Sequence, residues 1–421
     1  MSKLERIDLF DRRSGSFFIL FLLVVVSLSL TYEYTKFLKL TQFDDALVRA
    51  EVVAQEIKLI NKIPKTSIKL ELENGSLCRC AMSPYLRDLR GREVLVELQV
   101  KNITFLDYLN RFHTRGNIIE VYPELSLKEK WYRIIASVHE SQRMKELYGG
   151  LFVATPMSQD FQELVGAMGL SPALSISGYH FGILSLIAYF LLRPPYRWLH
   201  NRYFPYRHGN RDLSMVVMGL LFSYLVILEF NPAMVRSFGM IAVGYWLYDR
   251  GIKIVSVQTL LIAMGLILAF FPKLFFSLSF WFSSFGVLSI FVFVRYYEHW
   301  RPWQIFLALN FWCYAVMLPI SLTIFGTFGW WHIGSIPLSL LFNIYYPTVL
   351  ALHFFTPWGD LFDPYLLKMF EMGDMHHVFI PMWMGIGSVI LALMAMRWKW
   401  AFFSLGALGC VTLVGAIYQI A

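Results

Sequence analysis

Apolar positions along this chain fall into long unbroken runs at both ends and into short alternating stretches between them. The first run extends from about Phe17 to Leu30. Later runs lie near 165–192, 213–230, 233–248, 254–271, 274–294, 303–327, 336–355, 379–396 and 401–420. At 1.5 Å per residue, most are long enough to cross a hydrocarbon core of roughly 30 Å as helices. Residues 45–125 behave differently. Val48–Ile57, Ser67–Glu73, Val94–Val100 and Ile118–Tyr122 alternate, with turn signals at Asn74-Gly75, Leu89-Arg90-Gly91 and Arg115-Gly116-Asn117. This pattern predicts four or five short strands closing into a small β-barrel, for which an OB-fold is one solution. From Leu127 to Leu147, apolar residues recur at helical spacing (Leu127, Trp131, Ile134, Ile135, Val138) between Lys, Arg and Glu. That spacing predicts an amphipathic helix, packed on the barrel or lying on the membrane surface.

Composition supports the membrane reading. Of 421 residues, 57% are hydrophobic and 16% charged, where a soluble domain carries roughly a quarter charged. The expected fold is an α-helical polytopic membrane protein of about eight to ten membrane segments with a small extracytoplasmic, OB-like β-barrel. Lys3, Arg6, Arg12 and Arg13 precede the first run, and no small-residue cleavage site follows it. Residues 1–44 therefore read as a cytoplasmic basic tail and retained signal anchor. Residues 45–125 form the extracytoplasmic barrel, 126–164 a helical connector, and 165–421 the membrane domain. The second span returns the chain to the cytoplasm at Arg193, Arg197, Arg202, Arg207 and Arg211, the densest basic loop. Arg250, Lys253, Arg295 and Arg301 also fall inside, but Arg397 and Lys399 then fall outside. One late segment is thus expected to be re-entrant or to lie along the surface. The net charge of +8 reflects these segment ends and does not by itself indicate an anionic ligand.

Chemistry-bearing residues are few. Ser171, Ser175, Gly178, Gly182 and Ser185 recur at spacings of four and three, a helix-packing stripe of small residues if one helix carries them all. Ser177 and His180 fall on roughly the opposite side, so His180 should face the bundle interior or an aqueous lumen. Arg236 sits in an apolar span, at a cost of about 2.5–3.5 kcal/mol for a central arginine; it either snorkels or pairs. Asp374, His376 and His377 form a D-x-H-H cluster that reads as a solvated loop before it reads as a metal site. Cys78 and Cys80, as C-R-C, read as adjacent-strand pairing or simple burial before they read as metal ligands. The barrel's acids and bases nearly balance, so a nucleic-acid groove there requires local sorting of charge. The sequence contains no G-x-x-x-x-G-K-[ST] loop and no H-x-H-x-D-H cluster.

The block Gly169-Leu170-Ser171-Pro172-Ala173-Leu174-Ser175-Ile176-Ser177-Gly178-Tyr179-His180-Phe181-Gly182 resembles the signature of the ComEC family, the competence-type DNA-internalisation channels. Pro232-Ala233-Met234-Val235-Arg236, Phe276-Ser277-Leu278-Ser279-Phe280 with Gly286, and Asn343-Ile344-Tyr345-Tyr346-Pro347 resemble its later blocks in the same order. Gly91-Arg92-Glu93-Val94 and Thr104-Phe105-Leu106-Asp107-Tyr108-Leu109 resemble its barrel pattern. Pro172 and Ser277 depart from the family, which carries histidine and glutamine there. Many members also end in a metallo-β-lactamase-like domain that this sequence lacks. The resemblance implies a channel that passes single-stranded DNA into the cytoplasm. Ser177, Gly178, His180, Gly182, Arg236, Ser279 and Asn343 are its lining or structural candidates, with no catalytic residue, cofactor or metal. Expected partners are single-stranded DNA, membrane lipid, an extracytoplasmic DNA receptor, and cytoplasmic single-strand-binding or motor proteins. Two alternatives stay open. One is a membrane-embedded serine hydrolase using Ser177 and His180, for which no third partner is evident. The other is a small-solute transporter, which predicts internal repeats that are not evident either.

Overall fold

The first described element is α1 (Arg12–Leu40), 29 residues without a proline. At roughly 44 Å it exceeds the hydrocarbon core, so its last turn leaves the bilayer, and Leu40 is buried in the core of the domain that follows. The computed structural model describes residues 12–60, 63–82, 88–174, 178–206, 208–230, 232–249 and 257–421.

That domain is a closed barrel. Its strands are β1 (Asp45–Ile60), β2 (Ile63–Leu72), β3 (Leu77–Met82), β4 (Arg92–Gln99) and β5 (Phe112–Leu125), with the short helix α2 (Phe105–Leu109) before β5. Spatial order is β1-β2-β3-β5-β4, and β4 closes on β1. Every pairing is antiparallel except β3 with β5. Strand alternation explains the core: Val94, Val96 and Leu98 point inward from β4 and meet Ile68 and Leu70 from β2, all fully buried. Cys78 and Cys80 are free, buried thiols with Sγ atoms 3.3 Å apart on the inward phase of β3. β3 itself escapes the sequence pattern because it is only six residues long. Asn74-Gly75 makes the predicted β2–β3 turn, with Gly75 in the left-handed region at φ +71.

The predicted single amphipathic helix over Leu127–Leu147 is two helices. In α3 (Leu127–Ala136), Leu127, Trp131 and Ile134 remain exposed. In α4 (Gln142–Val153), Met144, Leu147, Tyr148 and Leu151 are buried. Ser137 caps the end of α3 and Ser141 the start of α4, which lets the two helices turn to different surroundings. The predicted run 165–192 is also broken, into α5 (Gln159–Ala167), α6 (Ser171–Leu174) and α7 (Gly178–Tyr203). Gly169, at φ +69, takes a conformation that no helix can continue. Ser171 stands on α6, and Gly178, Gly182 and Ser185 stand on α7. Ser175 and Ser177 lie outside the described residues.

The remaining chain forms α8 (Gly209–Ile227), α9 (Pro232–Asp249), α10 (Val257–Phe270), a 3₁₀ turn (Pro272–Phe276), α11 (Leu278–Tyr297) and α12 (Pro302–Phe325). These lead into β6 (Thr327–Phe328), α13 (Trp331–Phe355), α14 (Asp363–Glu371), β7 (His376–His377), α15 (Met382–Ala395) and α16 (Lys399–Ile420). Among the described residues, α1, α8, α11, α12, α13 and α16 are long and apolar enough to cross a membrane; α10 and α15 are apolar but shorter. Close packing holds the late helices together. Trp312 stacks on Phe402 with centroids 4.0 Å apart and donates its indole N–H to the Ser289 carbonyl. Gly409 lets α16 lie directly on the Ala315 backbone of α12, where a Cβ has no room.

Helix ends sort by charge. The Tyr245 hydroxyl donates to the Arg211 carbonyl, and Arg295 and Tyr296 donate to the Met396 and Ala395 carbonyls. The basic turns around Arg211, Arg295 and Arg397 thus cap ends remote from the barrel. At the barrel end, Lys273 Nζ donates to the Asn74 carbonyl at 3.0 Å and to Ser76 Oγ at 3.1 Å, and pairs with Glu33 at 3.0 Å. The chain leaves β6 and returns to β7, and these two strands pair with each other (Thr327 with His377, Phe328 with His376). Between them α13 and α14 make a closed excursion, which places the Arg397–Lys399 turn beside Arg295. Arg207, Arg250 and Lys253 lie outside the described residues.

Candidate functional site

The barrel's near-neutral charge conceals a division between its faces. Lys69 on β2 is directly opposite Arg79 on β3, which is directly opposite His113 on β5. Arg115 follows two residues along β5, opposite Ala81. All four are on the outward phase, and Arg79, His113 and Arg115 are exposed. The opposite side is acidic: Glu51 on β1 faces Glu93 on β4, Glu97 follows four residues on, and Glu120 on β5 faces Leu95. Burial holds the Lys69 ammonium below its ordinary pKa, and neighbouring Arg111 adds to that effect. Like charges gathered this closely favour an anion over the row. Sequence reasoning missed the row because β3 was missed. Once β3 is placed, the two-residue periods of β2, β3 and β5 bring these residues together.

Between the barrel and α3 lies a cavity of about 190 Å³, lined in part by Glu51, Asp88, Arg90, Lys128, Glu129 and Arg133. Arg90 pairs with Asp88 at 2.7 Å and Arg133 with Glu129 at 3.0 Å. The cavity is a seam of internally compensated charges.

At its edge, Glu51 meets Glu229 from the loop joining α8 to α9, where Glu229 and Phe230 both have φ of 53. Burial first, and the Glu229 carboxylate second, push Glu51 up to about 7. A raised carboxyl pKa contributes stability that is fully present below the unfolded value of about 4.3 and is lost as pH rises through the folded one. The barrel-to-membrane joint is therefore expected to loosen as pH rises through about 7, with little further change well above it. Glu51→Gln should remove that dependence, as read by limited proteolysis of the connector at pH 6 and pH 8 (both about one unit from the midpoint). Equal pH sensitivity in the variant would exclude Glu51 as its source.

One turn beyond this loop, α9 carries Arg236. It is 4% exposed, so it does not snorkel. Its Nη1 donates to Ser279 Oγ at 3.2 Å, and Ser279 Oγ lies 3.0 Å from Ser277 Oγ at the start of α11. Its Nε is buried and makes no hydrogen bond, a cost that native structures usually avoid. Ser237 next to it lies 3.3 Å from where a Cβ on Gly178 would stand. Gly178, Arg236 and Ser279 are thus brought together where α7, α9 and α11 meet. His180 is 1% exposed, bonds to the Ala173 backbone, and meets the rings of Tyr346 and Phe342 edge-on at 4.7 and 5.6 Å. Gly182 faces open space. Asn343 donates back to the Ser339 and Leu340 carbonyls. Asp374 accepts from the Trp330 N–H and lies 3.4 Å from His376, so the D-x-H-H cluster braces the β6–β7 closure. Among the described residues no group of three or more His, Cys, Asp or Glu is placed to hold a metal.

Against known families, the model of the Competence protein family matches residues 154–417. The chain belongs to that family. The match covers well over half of the chain, running from the end of α4 into α16 and leaving the barrel outside it. No curated protein and no solved structure matches the chain. Membership in the competence family gives the chain a role in DNA uptake, and the apolar helices make it a multi-pass membrane protein.

Proposed function

We propose that this competence protein is the inner-membrane channel that passes single-stranded DNA into the cytoplasm. The observation that carries the reading is positive charge at two places, on one barrel face and inside the membrane domain. The Lys69–Arg79–His113 row lies on the barrel, and the barrel sits at the end of the membrane domain where Arg236 is buried one turn deep. Phosphates held over the row would pass towards Arg236 and Ser279, whose donors suit a moving anion. The barrel order β1-β2-β3-β5-β4 supports an OB-like assignment. OB-folds bind strands of nucleic acid across their second and third strands and the loop between the fourth and fifth. Those are the places occupied by Lys69, Arg79 and Arg111.

Crossings by α1, α7, α8, α9, α10, α11, α12, α15 and α16, with α13–α14 returning to the side it left, put the basic turns in the cytoplasm. The barrel and the C-terminal end of α16 then lie outside. A separate receptor would deliver the strand, and a cytoplasmic motor or the membrane gradient would draw it in; the chain acts as a conduit and performs no chemistry on DNA. The test follows fluorescent double-stranded DNA in the natural host with the gene deleted in frame and then restored. Label retained outside the inner membrane, with transformation abolished and then recovered, is expected. Label reaching the cytoplasm at the wild-type rate in the deletion strain would overturn the reading and bring a solute transporter forward.

A further inference from the structure

Remote from Arg236, three titratable side chains from separate elements meet in a line. His139, in the turn between α3 and α4, has a fully buried side chain. Its Nδ1 lies 2.8 Å from Asp363 Oδ2 at the start of α14, and its Nε2 lies 3.0 Å from His353 Nε2 in the last turn of α13. His353 Nδ1 lies 2.7 Å from the Val349 carbonyl. The His139 ring stacks on Tyr148 at 4.2 Å, and the Tyr148 hydroxyl accepts from Tyr345. Asp360, in the loop before α14, is the other charged group facing the cluster.

Counting hydrogens along this line gives a definite answer. A carbonyl only accepts, so His353 Nδ1 must carry a hydrogen. One hydrogen must lie between the two imidazoles and another between His139 and Asp363. The three bonds need three hydrogens. Two neutral imidazoles and a carboxylate supply two. The third is a bound proton, and with it the triad is electrically neutral, as its burial favours. Without it, one gap sets two lone pairs against each other and leaves a net negative charge inside. The Asp363 environment agrees: its Oδ1 is buried and accepts no hydrogen bond. Burial also raises its pKa against the lowering effect of His139.

We propose that His139, Asp363 and His353 form a binding site for one proton, and that this proton fastens the α13–α14 hairpin to the α3–α4 turn. The hairpin is the excursion that begins and ends at the β6–β7 pair. The α3–α4 turn belongs to the connector leading from the barrel. Occupancy of the site therefore sets how firmly the connector is held to the membrane domain. The proposal does not depend on what the chain transports.

The unfolded chain is the reference for the test. There Asp363 is ionised and the two histidines share one proton at about pH 6.5. Below that pH the unfolded state binds more protons than the folded triad, and above it fewer. The triad's contribution to stability should therefore peak near pH 6.5 and fall as pH rises further. Asp363→Asn is the informative variant: the new amide donates to His139 Nδ1 and satisfies the line with no extra proton. The experiment is unfolding of the full chain by dodecyl sulfate in mixed micelles, from about pH 6 to about pH 9. The wild-type folding equilibrium constant, divided by that of the variant, should drop by up to about tenfold per pH unit above about 6.5. A ratio that stays constant over that range overturns the proposal. If Asp363→Asn gives no folded protein, His139→Gln is compared in the same way, and a constant ratio there overturns it equally.

Discussion

Arg236→Met is expected to yield a protein that is more stable than the wild type and takes up DNA less well. The guanidinium is buried, makes one hydrogen bond and leaves Nε without a partner. A methionine of similar reach removes a charge whose insertion costs about 2.5–3.5 kcal/mol. Replacing a poorly compensated buried charge by a packed apolar group commonly stabilises by about 1–4 kcal/mol. If Arg236 instead serves a passing phosphate, the variant loses charge-assisted hydrogen bonds of about 1.5–3 kcal/mol. That corresponds to a fall of about 10- to 100-fold in transport rate. The measurements are unfolding in mixed micelles and transformation frequency at matched expression. Arg236→Lys should recover part of the uptake, because a point charge replaces some but not all of a fork of donors. Unchanged uptake in the more stable methionine variant would remove Arg236 from the path of DNA. Uptake and stability lost together would make its role structural.

The second large effect belongs to the barrel. Reversing both Lys69 and Arg79, as Lys69→Glu with Arg79→Glu, replaces the centre of the basic row with acid while leaving the inward core of β2 and β3 untouched. Binding of a fluorescent single-stranded oligonucleotide to the purified chain should weaken by about tenfold or more at moderate salt. The slope of log affinity against log salt should flatten by about 1.4, since each phosphate contact on a single strand contributes about 0.7. The paired control, Glu93→Lys with Glu97→Lys on the opposite face, should not weaken binding. If the row variant keeps both affinity and slope, DNA does not lie across the second and third strands.

These two sites were legible to different degrees. Arg236 stands out in the sequence because an arginine amid Met234, Val235, Phe238 and Met240 demands an explanation. Its burial and its Ser279 partner required α9 and α11 to be placed side by side. The basic row was invisible for a different reason. Lys69, Arg79 and His113 are far apart in sequence and separated by acids, and the strand that connects them is too short to declare itself. The small-residue stripe spans α6 and α7, with Ser175 between them outside the described residues. His139, Asp363 and His353 gave no sequence signal at all, since none forms a recognisable spacing with another.

The sequence by itself determined the class: apolar runs of membrane length, basic residues at their ends, an alternating segment after the first run, and motif blocks that place the chain in the competence family. These are local properties, written in periods of two and 3.6 residues and in runs long enough to cross lipid, so no partner is needed to read them. Tertiary structure alone decided which charges share a face of the barrel, that α13 and α14 begin and end at the paired strands β6 and β7, and which buried polar groups meet. Each depends on strand register or on contacts between segments remote in sequence. A one-residue slip in register, or one helix taken as a crossing, would move those side chains to the other face or the other end of the protein.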